Sequence, residues 1–425
     1  MKKLGIITYY WPPAGGPGVQ RWLKLSKYLA RQGVDLYIVT VDADKATYPL
    51  VDKGLLDDVH ENIHVTRTNT SEKFGAYKKA TGTTQVPFSG FSGEEVNVSF
   101  IQKIARFIRG NFFVPDARKG WNVHAYNAAA KLIKEHDIQH WVTTSPPHSS
   151  QIIGRRLKKN LGIHWTADFR DPWTDIYYYR KFYPLAITRW FERKLERSVF
   201  SACDALISVS PSWSMLYISK GATPADKVHT ITNGFDVEDF SSISPDRPEL
   251  FTITYAGTLA AQYPVADFVT ALNVLDFPVK LSIIGSWDAS SRLKLESASA
   301  HVDLEFISYV PKKDLNAYLV NSHLMLFLLP EVDSASGHVP GKLFDYLGGG
   351  NPILGLGPIK GDAAKIIRDA QAGQVFSYDD TDGIVNFISK MHDTGAPKTP
   401  SNKIAPYERN QQAKQVLSAI FGSDR

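Results

Sequence analysis

Cysteine is almost absent: Cys203 is the single one in 425 residues. No internal disulfide can form and no thiolate pair is left for a metal, so a reducing, cytoplasmic setting is expected. Long apolar runs are missing as well. The most convincing, LMLFLL before Pro330, falls far short of the roughly 20 residues that cross a bilayer. The N-terminal MKKLGIITYYWPP has a basic start, but its apolar run is short and broken by prolines; it reads as a first strand, not a secretion signal. The dinucleotide fingerprint G-x-G-x-x-G is absent from the first strand-to-helix turn, which disfavours a nicotinamide enzyme.

What is present is the composition of an ordinary globular protein, 43% hydrophobic and 21% charged, long enough for two domains. Residues 1–240 carry 32 Lys+Arg against 23 Asp+Glu, whereas the remainder is acidic, 16 against 20. A basic half suits an anionic partner or surface, or is a solvated face with no partner.

Short β-branched and aromatic runs alternate with segments of helical period, the pattern of parallel sheets with crossover helices. Strands are predicted at 4–10, 34–41, 62–68, 140–145, 163–169, 204–210 and 228–233. After the linker SSISPDRPE a second series follows at 251–257, 279–285, 302–308, 323–329, 351–357 and 373–378. Helices are predicted over Val19–Gln32, stopping at Gly33, and over Ser149–Asn160 before Gly162. Two domains result, 1–240 and 241–405, with a last helix at 406–425 that packs on the second domain or crosses to the first. Residues 70–120 hold no clear strand and read as an insertion. Within it Phe100, Ile101, Ile104, Phe107, Ile108 and Phe112 share one helical face and Lys103, Arg106 and Arg109 the other. This amphipathic helix either packs on the sheet or lies on an anionic membrane.

Three places could carry chemistry. The turn WPPAGGPGVQRW brings Gly15 and Gly16 to a helix start, where free N–H groups suit an anion, unless the glycines serve only a tight turn. SPPHSS and DFRDPW put His148, Ser149, Asp168, Arg170 and Asp171 at the carboxyl ends of two parallel strands, where open sheets bind ligands. A plain Asp171-Pro172 turn and a structural Arg170–Asp168 ion pair are the alternative. In GHVPGKLFDYLGGGNPILGLG, Lys342 beside a helix start suits a diphosphate and Asp345, one turn on, suits ribose hydroxyls. The glycines at 348–350 stop that helix.

At these residues the chain resembles the family 4 retaining glycosyltransferases. YYWPPAGGPGVQRW, PDARKGW, TSPPHSS, DFRDPW, TNGFD, YAGTL and PGKLFDYLGGGNPIL all occur in the expected order. The resemblance implies an α/β architecture called GT-B: two Rossmann-like domains with parallel sheets facing across a cleft. It is nearest the bacterial branch that builds surface polysaccharide. The first domain would bind a glycan or lipid-linked acceptor and the second a nucleotide-diphosphate sugar, with no metal or other cofactor. Asp345 would be the ribose acid, usually glutamate, and Lys342 a diphosphate contact, with Gly257 and Thr258 lining the phosphates and the backbone near Val310 meeting the base. Two departures stand out: Gly337 occupies the place of an expected acid, and Thr258 that of a frequent arginine. Glu331, at the end of its strand, is either the replacement carboxylate or a solvent-facing strand terminator.

Asp171, or His148, is expected to orient or deprotonate the acceptor, with Arg170 fixing its neighbours and Asp168 and Ser149 contacting the acceptor. Competing readings are a same-fold epimerase or inverting transferase, and a nucleotide-sugar-binding protein without turnover. No nucleic-acid motif supports the aromatic, basic stretch DIYYYRKFYPLAITRWFERK as a nucleic-acid site, so no such partner is expected. That stretch and the 100–112 helix instead suggest a peripheral position at the inner face of the plasma membrane.

Overall fold

The computed structural model describes residues 2–71, 100–221 and 223–422. They form two compact units, one holding the described residues up to Thr232 together with those from Gln412 onward, the other Asn233–Gln411. Of the expected insertion, residues 72–99 lie outside the described residues.

The first unit is a sheet of β1 (Lys3–Ile7), β2 (Asp35–Val41), β3 (Ile63–Thr68), β4 (His140–Ser145), β5 (His164–Phe169), β6 (Ala205–Ser208) and β7 (Val228–Thr230). Its order is β3-β2-β1-β4-β5-β6-β7, with every pair parallel. The helices are α1 (Pro17–Arg31), α2 (Phe100–Phe112), α3 (Asn122–His136), α4 (Ser149–Leu161), α5 (Ala186–Ala202) and α6 (Pro211–Ser219). Helices cover both faces, which is why six of the seven residues of DLYIVTV in β2 are buried instead of alternating. One face packs Trp121, Trp141, Trp165 and Phe169 against α3, α4 and α5. There the indole of Trp165 occupies the space over Gly154 of α4: a Cβ would lie 2.1 Å from its Nε1.

The second unit is a sheet of β8 (Thr252–Leu259), β9 (Val279–Trp287), β10 (Val302–Ile307), β11 (Leu324–Leu328), β12 (Ile353–Leu356) and β13 (Gly373–Phe376). It runs in the order β10-β9-β8-β11-β12-β13, again parallel throughout. Its helices include α7 (Val265–Leu272), α8 (Ala289–Glu296), α9 (Lys312–Asn321), α10 (Lys342–Gly349), α11 (Asp362–Asp369) and α12 (Thr381–Asp393). The last helix, α13 (Arg409–Phe421), carries Ala413, Val416 and Ile420 in the apolar layer of the first unit with Leu4, Ile6, Trp22 and Leu25.

All thirteen strands stand where the alternation predicts them. Both sheets reverse direction of growth at one point, between β1 and β4 in the first and between β8 and β11 in the second. Loops leaving the carboxyl ends of such strands diverge and leave a crevice for ligands.

Candidate functional site

In the first unit the β4 and β5 ends converge with the turn after β1. Arg170 follows β5 directly and ties these loops together. Its Nη1 donates to the Gly18 carbonyl at 2.6 Å, its Nε to the Ser145 carbonyl at 3.2 Å, and its Nη2 to the Pro146 carbonyl. A guanidinium's fixed fork matches this demand for three donors. Asp171, half-buried, makes no hydrogen bond with a described side chain. Burial raises its carboxyl above the usual carboxylate range and the neighbouring Arg170 charge draws it down. Its charge also reaches the buried hydroxyls of Tyr178 and Tyr217, which desolvation keeps protonated. His148 stacks on Trp173 at 5.1 Å between ring centroids, tilted by 7°. Burial, with the charges of Arg170 and Lys220, holds its imidazole down at about 3, so it is neutral, and its buried Nδ1 has no partner among the described residues.

Two expectations require correction. Asp168 is fully buried and all its capacity is spent inside the unit. Arg21 Nη2 donates to its Oδ1 at 3.1 Å, and Trp22 Nε1 and Thr144 Oγ1 donate to its Oδ2 at 2.8 and 2.7 Å. Arg21 also donates to the carbonyls of Ile231 and Thr232. The ion pair is therefore Arg21–Asp168, not Arg170–Asp168, and it anchors α1 to β5, out of an acceptor's reach. Ser149 is equally enclosed: its N–H and Oγ donate to Asp116 at 2.7 and 2.9 Å. Asp116, which had no assigned role in PDARKGW, receives the free N–H at the start of α4. In the glycine turn, Gly15 spends its N–H on the Leu50 carbonyl. Gly16, at φ 87°, occupies the left-handed region immediately before α1.

In the second unit β8 ends in an exposed Gly257-Thr258 pair. The chain there turns through φ 129° at Gly257 and its register partner Gly285 lies at 124°, where an added Cβ would sit 2.4 Å from the Gly257 carbonyl. Lys342, the first residue of α10, lies along this turn, with its Cδ 3.7 Å from where a Gly257 Cβ would be. Its Nζ donates to the Tyr255 hydroxyl at 2.8 Å and lies 4.0 Å from the centre of that ring, with Tyr263 and Phe327 also near. No carboxylate pairs with it among the described residues. Desolvation in this aromatic setting pulls its ammonium down to about 7. The same burial, with the Lys342 charge, holds His338 at about 4. The Tyr255 hydroxyl donates onward to the Thr258 carbonyl at 2.7 Å, and Tyr346 clamps the Ala256 peptide.

Asp345 stands one turn along α10, but its charge is turned to a different cation: Lys312 Nζ, at the start of α9, is 2.5 Å from its Oδ1. Lys342 and Asp345, expected at the diphosphate and at the ribose, thus face different partners, Tyr255 and Lys312. Val310 is half-buried in the loop that leads to Lys312, and Glu331 is exposed just beyond β11. Gly337 is buried in the turn before His338. Gly350, at φ 72°, ends α10. Among the described residues no cluster of His, Cys, Asp or Glu is placed to hold a metal ion.

The model of Glycosyltransferase Family 4 matches residues 18–239, over half the chain. The chain belongs to glycosyltransferase family 4. Its fold is GT-B, as in solved structures that it resembles over their full length. A lipopolysaccharide outer core galactosyltransferase, WaaB, in its apo form gives a TM-score of 0.57 at 13% identity, covering 99% of each chain. The Anabaena protein Alr3699/HepE, in complex with UDP-glucose, gives 0.60 at 13% identity, covering 99% of this chain and 100% of that one. A putative UDP-N-acetylglucosamine 2-epimerase from Listeria monocytogenes gives 0.54 at 12%, covering 99% and 96%. No curated protein matches in sequence. Within this family 4 chain, Tyr255, Lys312 and Tyr346 surround the expected donor residues without having been foreseen. The tyrosine two places before Gly257 was the one available signal.

Proposed function

We propose that this family 4 member transfers a sugar from a nucleotide-diphosphate donor to a hydroxyl of a glycan or lipid-linked acceptor in cell-surface polysaccharide synthesis, with retention and without a metal. The observation that carries this reading is the uncompensated Lys342 ammonium at the carboxyl end of β8, held against the main chain of Gly257. A half-buried cation, desolvated by aromatic rings and without a carboxylate among the described residues, is costly unless an anion meets it, and a diphosphate supplies two negative charges.

In the reaction the acceptor oxygen bonds to the anomeric carbon as the bond from that carbon to phosphate breaks. The electron pair of that bond and the acceptor's proton both pass to the departing diphosphate. Lys342 stabilises the charge that develops there, and Asp345, released from Lys312, meets the ribose hydroxyls. In the first unit, Asp171 accepts a hydrogen bond from the acceptor hydroxyl and orients it. Arg170 is a positioning residue acting through the Gly18, Ser145 and Pro146 carbonyls.

A thermal-shift screen with UDP-, GDP-, CMP- and dTDP-sugars tests the donor assignment, because a ligand selective for the native state raises Tm by mass action. One donor is expected to stabilise the protein and Lys342→Ala to abolish the shift; no shift with any of the four refutes the reading. For Asp171→Asn, turnover should fall by about 10²-fold or more with the donor-induced shift unchanged. Wild-type turnover would remove Asp171 from the mechanism.

A further inference from the structure

Helix α2 and the start of α5 are fastened into one surface of the first unit. Asn111 near the end of α2 does the fastening: its Oδ1 accepts from the Leu185 N–H and the Thr188 hydroxyl, each at 2.8 Å, and its Nδ2 donates to the Tyr183 carbonyl. Gly110 permits the close approach, because a Cβ there would lie 2.4 Å from the Phe182 carbonyl. The guanidinium of Arg109 covers the Phe182 ring at 4.7 Å.

The joined surface shows large apolar side chains to solvent. On α2 Phe100 is 76% exposed and Phe112 69%, with Ile104 and Ile108 between them; on α5 Ile187 is 67% exposed and Trp190 57%, flanked by Leu185 and Phe191. Exposed apolar residues occurring singly need no explanation, but this many on two stapled elements mark an interaction surface.

The charges on the same two helices and on the short turn Tyr177–Phe182 before α5 specify what the surface fits. Lys103, Arg180, Arg189, Arg193, Lys194 and Arg197 are all exposed. The two acids of these elements, Glu192 and Glu196, are buried, and Glu196 is neutralised by Lys220. Lys194 folds over the Trp190 ring at 5.2 Å, and the two line a groove with Arg193 and Arg197. Aromatic rings that enter an apolar layer beside cations that stay at its polar boundary are the chemistry of an interfacial helix on an anionic bilayer. A protein partner would instead need acidic complements to six cations around these exposed apolar side chains.

We infer that the α2–α5 surface is a docking face for an anionic lipid bilayer, with Phe100, Phe112, Ile187 and Trp190 inserted among the acyl chains and the six cations at the headgroup phosphates. The face does not depend on the glycosyl-transfer reading. It adds to that reading a reason for a lipid-linked acceptor, since Tyr178 and Phe182 of one short turn touch the surroundings of Asp171 and the α2 staple respectively.

Flotation of the full chain with phosphatidylcholine vesicles containing ~30% phosphatidylglycerol tests the inference. Native protein should float with these vesicles and remain behind with phosphatidylcholine alone. Two variants change only exposed residues: Ile187→Ser with Trp190→Ser, and Arg193→Glu with Lys194→Glu. Each should lower the partition constant by about tenfold or more, since insertion and headgroup attraction both contribute, while Tm and the donor-induced thermal shift stay native. Absence of flotation, or variants that float like the native chain, overturns the inference. So does sedimentation showing a dimer that the serine variant dissolves, for then the face meets a second copy. The donor screen reads independently of every one of these outcomes.

Discussion

If Lys342 is the diphosphate contact, donor binding must take up a proton. The ammonium of the free protein sits at about 7, against roughly 10.4 for an unperturbed lysine, because the aromatic pocket of Tyr255, Tyr263 and Phe327 desolvates it with no carboxylate to compensate. The other titratable groups facing it stay neutral near pH 8: His338 is held at about 4 and the Tyr255 hydroxyl is raised well above its ordinary value. A diphosphate diester is fully ionised throughout this range and restores the lysine toward its ordinary value. At pH 8 about nine-tenths of the free protein carries neutral Lys342, so each donor bound draws in about 0.9 proton.

The sign follows from linkage. Affinity is greatest below pH 7, where Lys342 is already charged, and is lost as pH rises through 7. Between pH 7 and pH 9 the apparent Kd should weaken about 50-fold. Calorimetry of donor binding in phosphate and in Tris, buffers that differ in ionisation enthalpy, reads the proton count directly. Lys342→Met should bind more weakly and show no buffer dependence. A native protein with a Kd independent of pH from 7 to 9 and no buffer dependence refutes the assignment.

Two further substitutions probe the scaffold. Asp168→Asn leaves the Arg21 guanidinium buried without its counter-charge, which costs about 3–5 kcal/mol; denaturant unfolding should show that loss, and an acceptor KM change at native stability would return Asp168 to the site. Gly154→Ala drives a methyl into the Trp165 indole, whose Nε1 donates to the Thr143 hydroxyl at 2.8 Å, and should cost about 1–3 kcal/mol, read as a lower melting temperature; an unchanged Tm would contradict the packing.

Periodicity carried the architecture because parallel strands covered on both faces are continuous apolar runs, and every one, from LGIITYY to GQVF, is punctuated by glycine or polar turns. Position along the strand was also legible: residues after β4, β5 and β8 do gather at carboxyl ends. What each side chain faces was not. Asp168 and Asp171 are three apart in DFRDPW, yet the pleat and the turn send one into the sheet against Arg21 and leave the other half-buried beside Arg170. Lys342 and Asp345, on adjacent turns, look like a pair in sequence. Their partners Tyr255 and Lys312 come from β8 and α9, 87 and 33 residues away, separations that no local pattern encodes.

The final helix gives the first unit an unusual dependence on its far end in sequence. Ala413, Val416 and Ile420 fill the layer over β1 and α1, and the Phe421 ring rests 4.5 Å from that of His140. A fragment ending at Thr232 would keep every strand of its sheet and still present an unfilled apolar trough along the central ones. Such a fragment should aggregate when made alone and be rescued by the α13 peptide supplied in trans. Residues that follow the whole second unit in sequence would be required before β1 and α1 are sealed from water.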